Sequence, residues 1–267
     1  MRFTKMHGLG NDYVYLNCTE RVPRDLSALA VKLSDRHYGV GSDGLICIFP
    51  SQAADFRMEM YNADGSPGEM CGNGIRCVGK YVYDKGLTTG TVLEIETPAG
   101  IRRLELHVHG GRVESVSADM GEPIIHPCRS ISVKDKCYTV KPVSMGNPHA
   151  VLYVDDLDDL DLQALGPGFE CHPAFPGRTN TEFASVLDRG IVRMRVWERG
   201  SGETLACGTG ACAVLAASAD LGLTDRTAVV RLRGGDLSVC WADDNHIYLT
   251  GPAVTVFEGE ISDGENK

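Results

Sequence analysis

Aromatic residues, clusters of basic residues and long apolar runs are all scarce in this chain of 267 residues. Aromatic side chains make up only 7% of the sequence, so the core must be mainly aliphatic, and 43% of apolar residues suffices for that. The net charge of −10, with no basic cluster, disfavours nucleic acid and anionic membranes as partners. No apolar run approaches the roughly 20 residues of a membrane span, so we predict no membrane association.

The first residues, Met1 to Tyr13, lack the apolar core of a secretory signal. We therefore expect a cytoplasmic protein. The ten cysteines would predict five disulfides in a secreted protein, but in a reducing compartment we expect free thiols. Six of them lie in ordinary strand or loop contexts and are predicted to be small buried side chains: Cys18, Cys47, Cys128, Cys137, Cys171 and Cys240.

An internal repeat is the most informative feature of the sequence. The segment 70–77, MCGNGIRC, is similar to the segment 206–212, ACGTGAC, and their first cysteines are 136 positions apart (207 − 71 = 136). Other segments keep this offset, among them Gly10-Asn11 with Gly146-Asn147 and Tyr61-Asn62 with Trp197-Glu198. The repeat predicts two copies of one fold, each of about 120–130 residues, which is the size of a single domain.

We predict an α+β fold with two pseudo-symmetric domains that arose by internal duplication. Residues 1–121 form the first predicted domain and residues 122–253 the second. The strand-like tail, 254–267, can return to either half, and packing on the first half is the alternative that we carry forward. Alternating strand patterns surround the predicted helices that begin at Ile75 and Ala211, so each domain is expected to be a mixed β-sheet or barrel around a buried helix.

Each half places a cysteine in a glycine-rich turn directly before its predicted helix. Backbone N–H groups at a helix start bind anions, and the helix dipole favours the thiolate form of a cysteine there. Two such thiols on opposite sides of one carbon suit a proton transfer in which one thiolate removes the α-proton of an amino acid and the other thiol returns a proton. The amides expected to hold the carboxylate are those of Gly72, Asn73, Gly208 and Thr209. Four donors at roughly 3–4 kcal/mol each, before non-additivity, make a metal or organic cofactor unnecessary.

These segments resemble the diaminopimelate epimerase family. The matches run in order along nearly the whole chain: KMHGLGND at 5–12, YNADGS at 61–66, MCGNGIR at 70–76, GNPH at 146–149, RTN at 178–180, ERGSGET at 198–204 and ACGTG at 206–210. The resemblance implies a cofactor-independent epimerase that interconverts LL- and meso-2,6-diaminopimelate, a small amino-acid substrate, in lysine and peptidoglycan precursor biosynthesis. It also implies a homodimer.

The resemblance implies a role for each matching residue. Cys71 and Cys207 would form the acid/base pair, and His149 and Glu198 would tune the pKa values of the thiols. The residues expected to contact the substrate are Asn11, Asn62, Gly72, Asn73, Asn147, Asn180, Glu198, Arg199, Gly208 and Thr209. One departure is Gly44, where many members carry Gln, so a contact near the distal end of the substrate is expected to be missing or replaced.

Other interpretations stay open at this point. A proline racemase-like or phenazine-biosynthesis-like isomerase shares the predicted architecture, although Glu198 and Arg199 suit a zwitterionic distal group better. A non-catalytic amino-acid binding protein would need the amides but not both thiols. A thiol-nucleophile hydrolase would accumulate a covalent acyl-enzyme, whereas an epimerase would not.

We predict no metal site. His107 and His109 share one face of a strand but lack a third ligand, and the paired cysteines of each repeat lack zinc spacing. The segment 74–81 is close to a P-loop, but Tyr81 stands where magnesium requires Ser or Thr. Lys80 is therefore expected to be a solvated helix residue.

Overall fold

A computed structural model describes residues 1–68 and 70–261. Its contacts divide the chain into two compact units: Met1–Ala118 with 251–261, and Asp119–Thr250. Each unit combines many strands with two helices, which confirms the predicted α+β class. Residues 262–267 of the predicted tail lie outside the described residues.

The first half of the chain contributes eight strands and two helices to the described structure. They are β1 (Arg2–Gly8), β2 (Asn11–Asn17), α1 (Leu26–Ser34), β3 (Gly44–Pro50), β4 (Phe56–Asn62), β5 (Pro67–Gly68), α2 (Gly72–Asp84), β6 (Val92–Thr97), β7 (Gly100–His109) and β8 (Arg112–Asp119).

The second half continues with eleven strands and two helices within the described part of the chain. They are β9 (Ile124–Ile125), β10 (Arg129–Val133), β11 (Lys136–Ser144), β12 (Pro148–Tyr153), α3 (Leu162–Glu170), β13 (Asn180–Asp188), β14 (Ile191–Glu198), β15 (Gly202–Thr204), α4 (Gly208–Asp220), β16 (Thr227–Leu232), β17 (Gly235–Trp241), β18 (Ile247–Pro252) and β19 (Val254–Glu260).

Both units pair their strands by the same scheme. In the first, β3 runs parallel to β2 and antiparallel to β4, and β6 is parallel to β4. In the second, β13 runs parallel to β12 and antiparallel to β14, and β16 is parallel to β14. The helices match too: α1 and α3 have nine residues each, and α2 and α4 have thirteen. The repeat in the sequence is therefore one folding scheme used twice.

Helices α2 and α4 are buried on almost every side. In α4 the run from Gly210 to Ser218 is buried throughout, as its uniformly apolar composition predicts. Both helices begin three residues earlier than predicted, at Gly72 and Gly208, because the preceding cysteine is itself the cap. No helix among the described residues is both long and apolar enough to span a membrane.

The predictions for Lys80 and for three of the cysteines are wrong. Lys80 is only 9% exposed, and its Nζ donates at 2.6 Å to both Asp84 Oδ2 and the carbonyl of Val113. The local sequence does not show that β8 covers this face of α2. Three cysteines predicted to be buried are exposed, because they lie in the 126–137 hairpin region or at the end of α3: Cys128, Cys137 and Cys171.

The last strand among the described residues completes the first unit. β19 pairs antiparallel with β1, from Arg2 opposite Glu260 to His7 opposite Val254, and β1 in turn pairs with β2. Beyond the strand, the backbone amide of Ile261 donates to the carbonyl of Met1 at 2.8 Å. The first unit is thus built from two distant parts of the sequence.

Candidate active site

Cys71 and Cys207 cap the two buried helices in nearly the same conformation. Their φ and ψ angles are −129° and 115°, and −125° and 114°. The sulfur of Cys71 accepts the N–H of Gly74 at 3.3 Å, and that of Cys207 accepts the N–H of Gly210 at 3.4 Å. Each sulfur therefore lies at the positive end of a helix dipole, beside first-turn amides that have no partner within the helix.

The second glycine of each repeat is required by close packing. A Cβ atom at Gly74 would lie 2.6 Å from Cδ1 of Ile46, and one at Gly210 would lie 2.7 Å from Oε1 of Glu182. The side chains of Ile46 on β3 and Glu182 on β13 thus pack directly against the first turns of α2 and α4, and a side chain at either glycine would have to displace them. The Cys-Gly-x-Gly pattern combines a capping sulfur with room for a packed strand.

In the first unit, Asn11 links the thiol to the helix. The Cys71 thiol donates to Asn11 Oδ1 at 3.2 Å, and Nδ2 of Asn73 donates to the same oxygen at 3.4 Å. Nδ2 of Asn11 donates to Asp43 at 2.9 Å, which fixes the orientation of the amide. The structure thus brings together three of the residues predicted from sequence: Cys71, Asn11 and Asn73.

A fully buried arginine supports the first turn of α2. Arg76 has no exposed surface, and its guanidinium donates to the Gly72 carbonyl at 2.9 Å and to Asn73 Oδ1 at 2.8 Å. Two donors on one planar group hold the Asn73 side chain and the Gly72 carbonyl together. Sequence reasoning gave Arg76 no role of its own, although it follows the first repeated cysteine by five residues.

Asn62 and Gly44 lie opposite each other on β4 and β3. Nδ2 of Asn62 donates to Oγ of Ser66 at 2.9 Å, within the turn that follows β4. A Cβ atom at Gly44 would lie 2.2 Å from the Tyr61 carbonyl oxygen and 2.8 Å from the Tyr13 ring. In this protein the backbone of β4 packs so closely against Gly44 that no side chain, Gln included, fits at this position.

In the second unit, a line of hydrogen bonds leads away from Cys207. Its sulfur lies 3.5 Å from Oγ1 of Thr209, which accepts from Nδ2 of Asn147 at 3.3 Å. Oδ1 of Asn147 lies 3.0 Å from Nε2 of His149. Four residues predicted from sequence thus form one connected group.

The line ends on a residue that sequence reasoning missed, Glu182. Its Oε1 lies 2.6 Å from Nδ1 of His149, and neither side chain has exposed surface. His149 is therefore held at both ring nitrogens, by Glu182 and by Asn147. The available signal was a lone acidic residue in the otherwise uncharged segment NTEFASV, two positions after the predicted contact Asn180.

Burial and two carboxylates oppose ionisation of Cys207. The thiol is 6% exposed, and burial, followed by the nearby charges of Glu198 and Glu182, raises its pKa well above the ordinary value. Burial also raises the pKa of Glu198, which accepts from the Thr204 hydroxyl. We expected the helix dipole to favour the thiolate at both cysteines. At Cys207, desolvation and like charge oppose this effect of the dipole and outweigh it.

Asn180 and Arg199 lie together at the ends of β13 and β14. The side chain of Asn180 is 5% exposed, and it donates to the Pro148 carbonyl and accepts from the Arg199 backbone amide, both at 2.9 Å. The Arg199 guanidinium donates to the Gly177 carbonyl at 3.2 Å. Asn180 therefore ties β12 to the turn that carries Arg199. Across residues 1–68 and 70–261, no group of three His, Cys, Asp or Glu side chains is placed to hold a metal ion.

Known proteins of full length resemble this chain closely. A protein of Acetivibrio thermocellus named diaminopimelate epimerase is 55% identical over 275 residues, which cover 98% of each chain. A protein of the same name from Leptospira biflexa is 49% identical and covers 98% of this chain and 99% of its own.

Solved structures share the fold at low sequence identity. A phenazine biosynthesis protein of Bacillus anthracis superposes with a TM-score of 0.76 at 18% identity and covers 98% of both chains. A probable proline racemase of Agrobacterium radiobacter gives 0.73 at 17% identity, covering 98% of this chain and 93% of its own. These two likenesses concern the fold alone. The sequence profile described as diaminopimelate epimerase matches residues 3–126 and 142–256, and the chain belongs to the diaminopimelate epimerase family.

Proposed function

We propose that this protein is an isomerase that interconverts LL-2,6-diaminopimelate and meso-2,6-diaminopimelate by a two-base proton transfer. The observation that carries the proposal is the pair of cysteines, each of which caps a buried helix with the same backbone angles and the same sulfur-to-amide contact. The relatives that are 49–55% identical to this chain over nearly their full length are named diaminopimelate epimerase. The racemase and phenazine likenesses are much weaker in sequence and favour no other reaction.

The two thiols act on opposite faces of one α-carbon. The thiolate of one cysteine removes the α-proton, and the thiol of the other delivers its proton to the opposite face. The substrate carboxylate takes up the negative charge that develops, and the amides of Gly72, Asn73, Gly208 and Thr209 stabilise it. After one turnover the two cysteines have exchanged their protonation states. Neither a metal nor an organic cofactor takes part in this scheme.

The polar side chains around each thiol orient the substrate. Asn11 and Asn147 occupy equivalent positions in the two repeats, and each lies within one hydrogen bond of a cysteine or of its first helical turn. Arg199 and Glu198 suit the carboxylate and the ammonium of the distal amino-acid centre. The remaining proposed contacts are Asn62, the last residue of β4, and Asn180, the first residue of β13.

We also propose the domain organisation, cellular location, pathway and oligomeric state of the enzyme. The two units are the two domains of the duplication, and the protein works in the cytoplasm, in lysine and peptidoglycan precursor synthesis. It forms a homodimer, which suits the exposed apolar side chains of β19: Val254, Val256 and Phe257 are 39%, 54% and 46% exposed. Light scattering of the purified protein tests this state, and a monomer mass at working concentration contradicts it.

Proton exchange in deuterium oxide tests the reaction directly. The reduced protein is incubated with LL-diaminopimelate without added cofactor, and the α-proton signal is followed by NMR. We expect that signal to be lost while the meso isomer forms with deuterium at the inverted carbon. Cys71→Ser is the matched control and should form no meso isomer. No exchange by the wild-type protein with confirmed free thiols would contradict the proposal.

A further inference from the structure

The two half-sites are equivalent in backbone but not in charge. The 136-residue offset relates Tyr13 to His149 and Asn62 to Glu198. It also relates Ile46 to Glu182, and both of these lie against the second glycine of their repeat. Three neutral side chains in the first repeat thus correspond to an imidazole and two carboxylates in the second. A pair of identical thiols has been placed in two different electrostatic settings.

Glu182 is the most deeply buried of these charged groups. It has no exposed surface, and its Oε1 lies against the first turn of α4 at Gly210 and bonds to His149. Its other oxygen, Oε2, has no hydrogen-bond partner within the described residues. A carboxylate held so firmly, with one oxygen left over, is costly to bury and adds nothing to the core. Its position beside Cys207 indicates a role in the chemistry of that thiol.

The groups that face Cys207 come from three strands. Glu198 of β14 and Glu182 of β13 bring like charge toward a thiolate, and His149 of β12 is bound to Glu182 and, through Asn147 and Thr209, reaches the sulfur. A thiolate at Cys207 would lie beside two carboxylates in a buried setting, whereas the neutral thiol is tolerated there. The two carboxylates therefore favour a proton on Cys207.

We propose that Glu182 is a positioning residue that keeps Cys207 in its protonated form before substrate binds, so that Cys207 starts as the acid of the pair. It acts through its own charge on Cys207 and through His149, whose ring it orients toward Asn147. This assignment rests on the proposed two-base reaction. On this proposal the two thiols differ in protonation because the second repeat has Glu182 where the first repeat has Ile46.

The ionisation of Cys207 can be measured without substrate. The protein is labelled with [3-13C]cysteine, and the Cβ signal of Cys207, identified by its loss in Cys207→Ser, is followed against pH. Glu182→Gln keeps the size of the side chain and an oxygen that accepts from His149, but removes the charge. We expect the titration midpoint of Cys207 to fall by about one pH unit or more, since one neighbouring charge in a buried site has at least that effect. Asp220→Asn, at the far end of α4, is the matched control and should leave the midpoint unchanged.

A midpoint for Glu182→Gln equal to that of the wild type or of Asp220→Asn would overturn the proposal, and so would a Cys207 that ionises below Cys71 in the wild type. A steady-state measurement adds a second test: Glu182→Gln should lower kcat about tenfold or more and change KM by less than about threefold. A protein that shows the shift in midpoint but turns over no diaminopimelate would leave the role of Glu182 standing and contradict the proposed reaction instead.

Discussion

The sulfur of Cys71 accepts the backbone N–H of Gly74 at 3.3 Å, so the atom proposed to exchange protons with substrate also caps helix α2. Cys207 and Gly210 repeat the contact at 3.4 Å in α4. Structure and chemistry are therefore joined in one side chain, and substitutions can separate them.

Cys71→Ser and Cys207→Ser should abolish epimerisation and leave the fold intact. Serine is a good N-cap, whereas its hydroxyl is far too weak an acid to replace the thiol at neutral pH. The alanine variants should also be inactive, but they lose the cap and about 1 kcal/mol of stability. Thermal unfolding and α-proton exchange in deuterium oxide check both statements. A serine variant with near-normal turnover would rule out the two-base scheme.

Gly74→Ala should destabilise the protein by about 1–3 kcal/mol, because the added Cβ would lie 2.6 Å from Cδ1 of Ile46. Ile46→Val removes that methyl group, so the double variant Gly74→Ala/Ile46→Val should recover most of the loss. Chemical denaturation of the wild type, both single variants and the double variant measures the coupling. Additive losses would show that the contact with Ile46 is not what excludes a side chain at Gly74.

Glu198→Gln should stabilise the protein at neutral pH. Burial raises the pKa of Glu198 above its ordinary value of 4.5, so the folded state binds the proton more tightly than the unfolded state. Stability therefore falls as the pH rises from 4.5 through the folded pKa, and above that pKa the full penalty is present. Glutamine removes this penalty and can still bind Thr204. We expect Tm to rise by about 2–4 °C at pH 7.5. The gain should shrink toward pH 4, and an equal gain at both pH values would contradict the assignment.

Arg76→Lys should weaken catalysis through Asn73. A lysine keeps the positive charge but cannot bind the Gly72 carbonyl and Asn73 Oδ1 with one planar group. We expect kcat/KM to fall about tenfold and stability to fall by about 1–3 kcal/mol. Arg57→Lys is the control, since its side chain is 40% exposed, and it should change neither value much. Steady-state kinetics with denaturant unfolding distinguishes the two variants.

The features that repeat could be predicted from the sequence, because a pattern found in one half could be checked against the same pattern in the other half. The α+β class, the duplicated scheme and the buried helices all follow from patterns that occur twice. The sequence placed each repeated cysteine shortly before its helix, and the structure shows that the cysteine is the N-cap of that helix.

The features that differ between the halves could not be predicted in this way. Glu182 lies where the first repeat has Ile46, so the comparison of halves offers no partner that would mark it as functional. Its significance comes from a contact with His149, 33 positions away in sequence, across the parallel pairing of β12 and β13. The burial of Lys80 has the same origin, since it depends on a strand 33 positions further along the chain.

The pairing of β19 with β1 determines which of the two units can finish folding first while the chain is synthesised on the ribosome. The second unit, Asp119–Thr250, is continuous in sequence and has all of its residues once Thr250 has been added. The first unit cannot pair β1 with β19 until residues 254–260 have been made and have left the exit tunnel. The half that is translated first is thus the half that is completed last, because one side of β1 has no partner until β19 has been made.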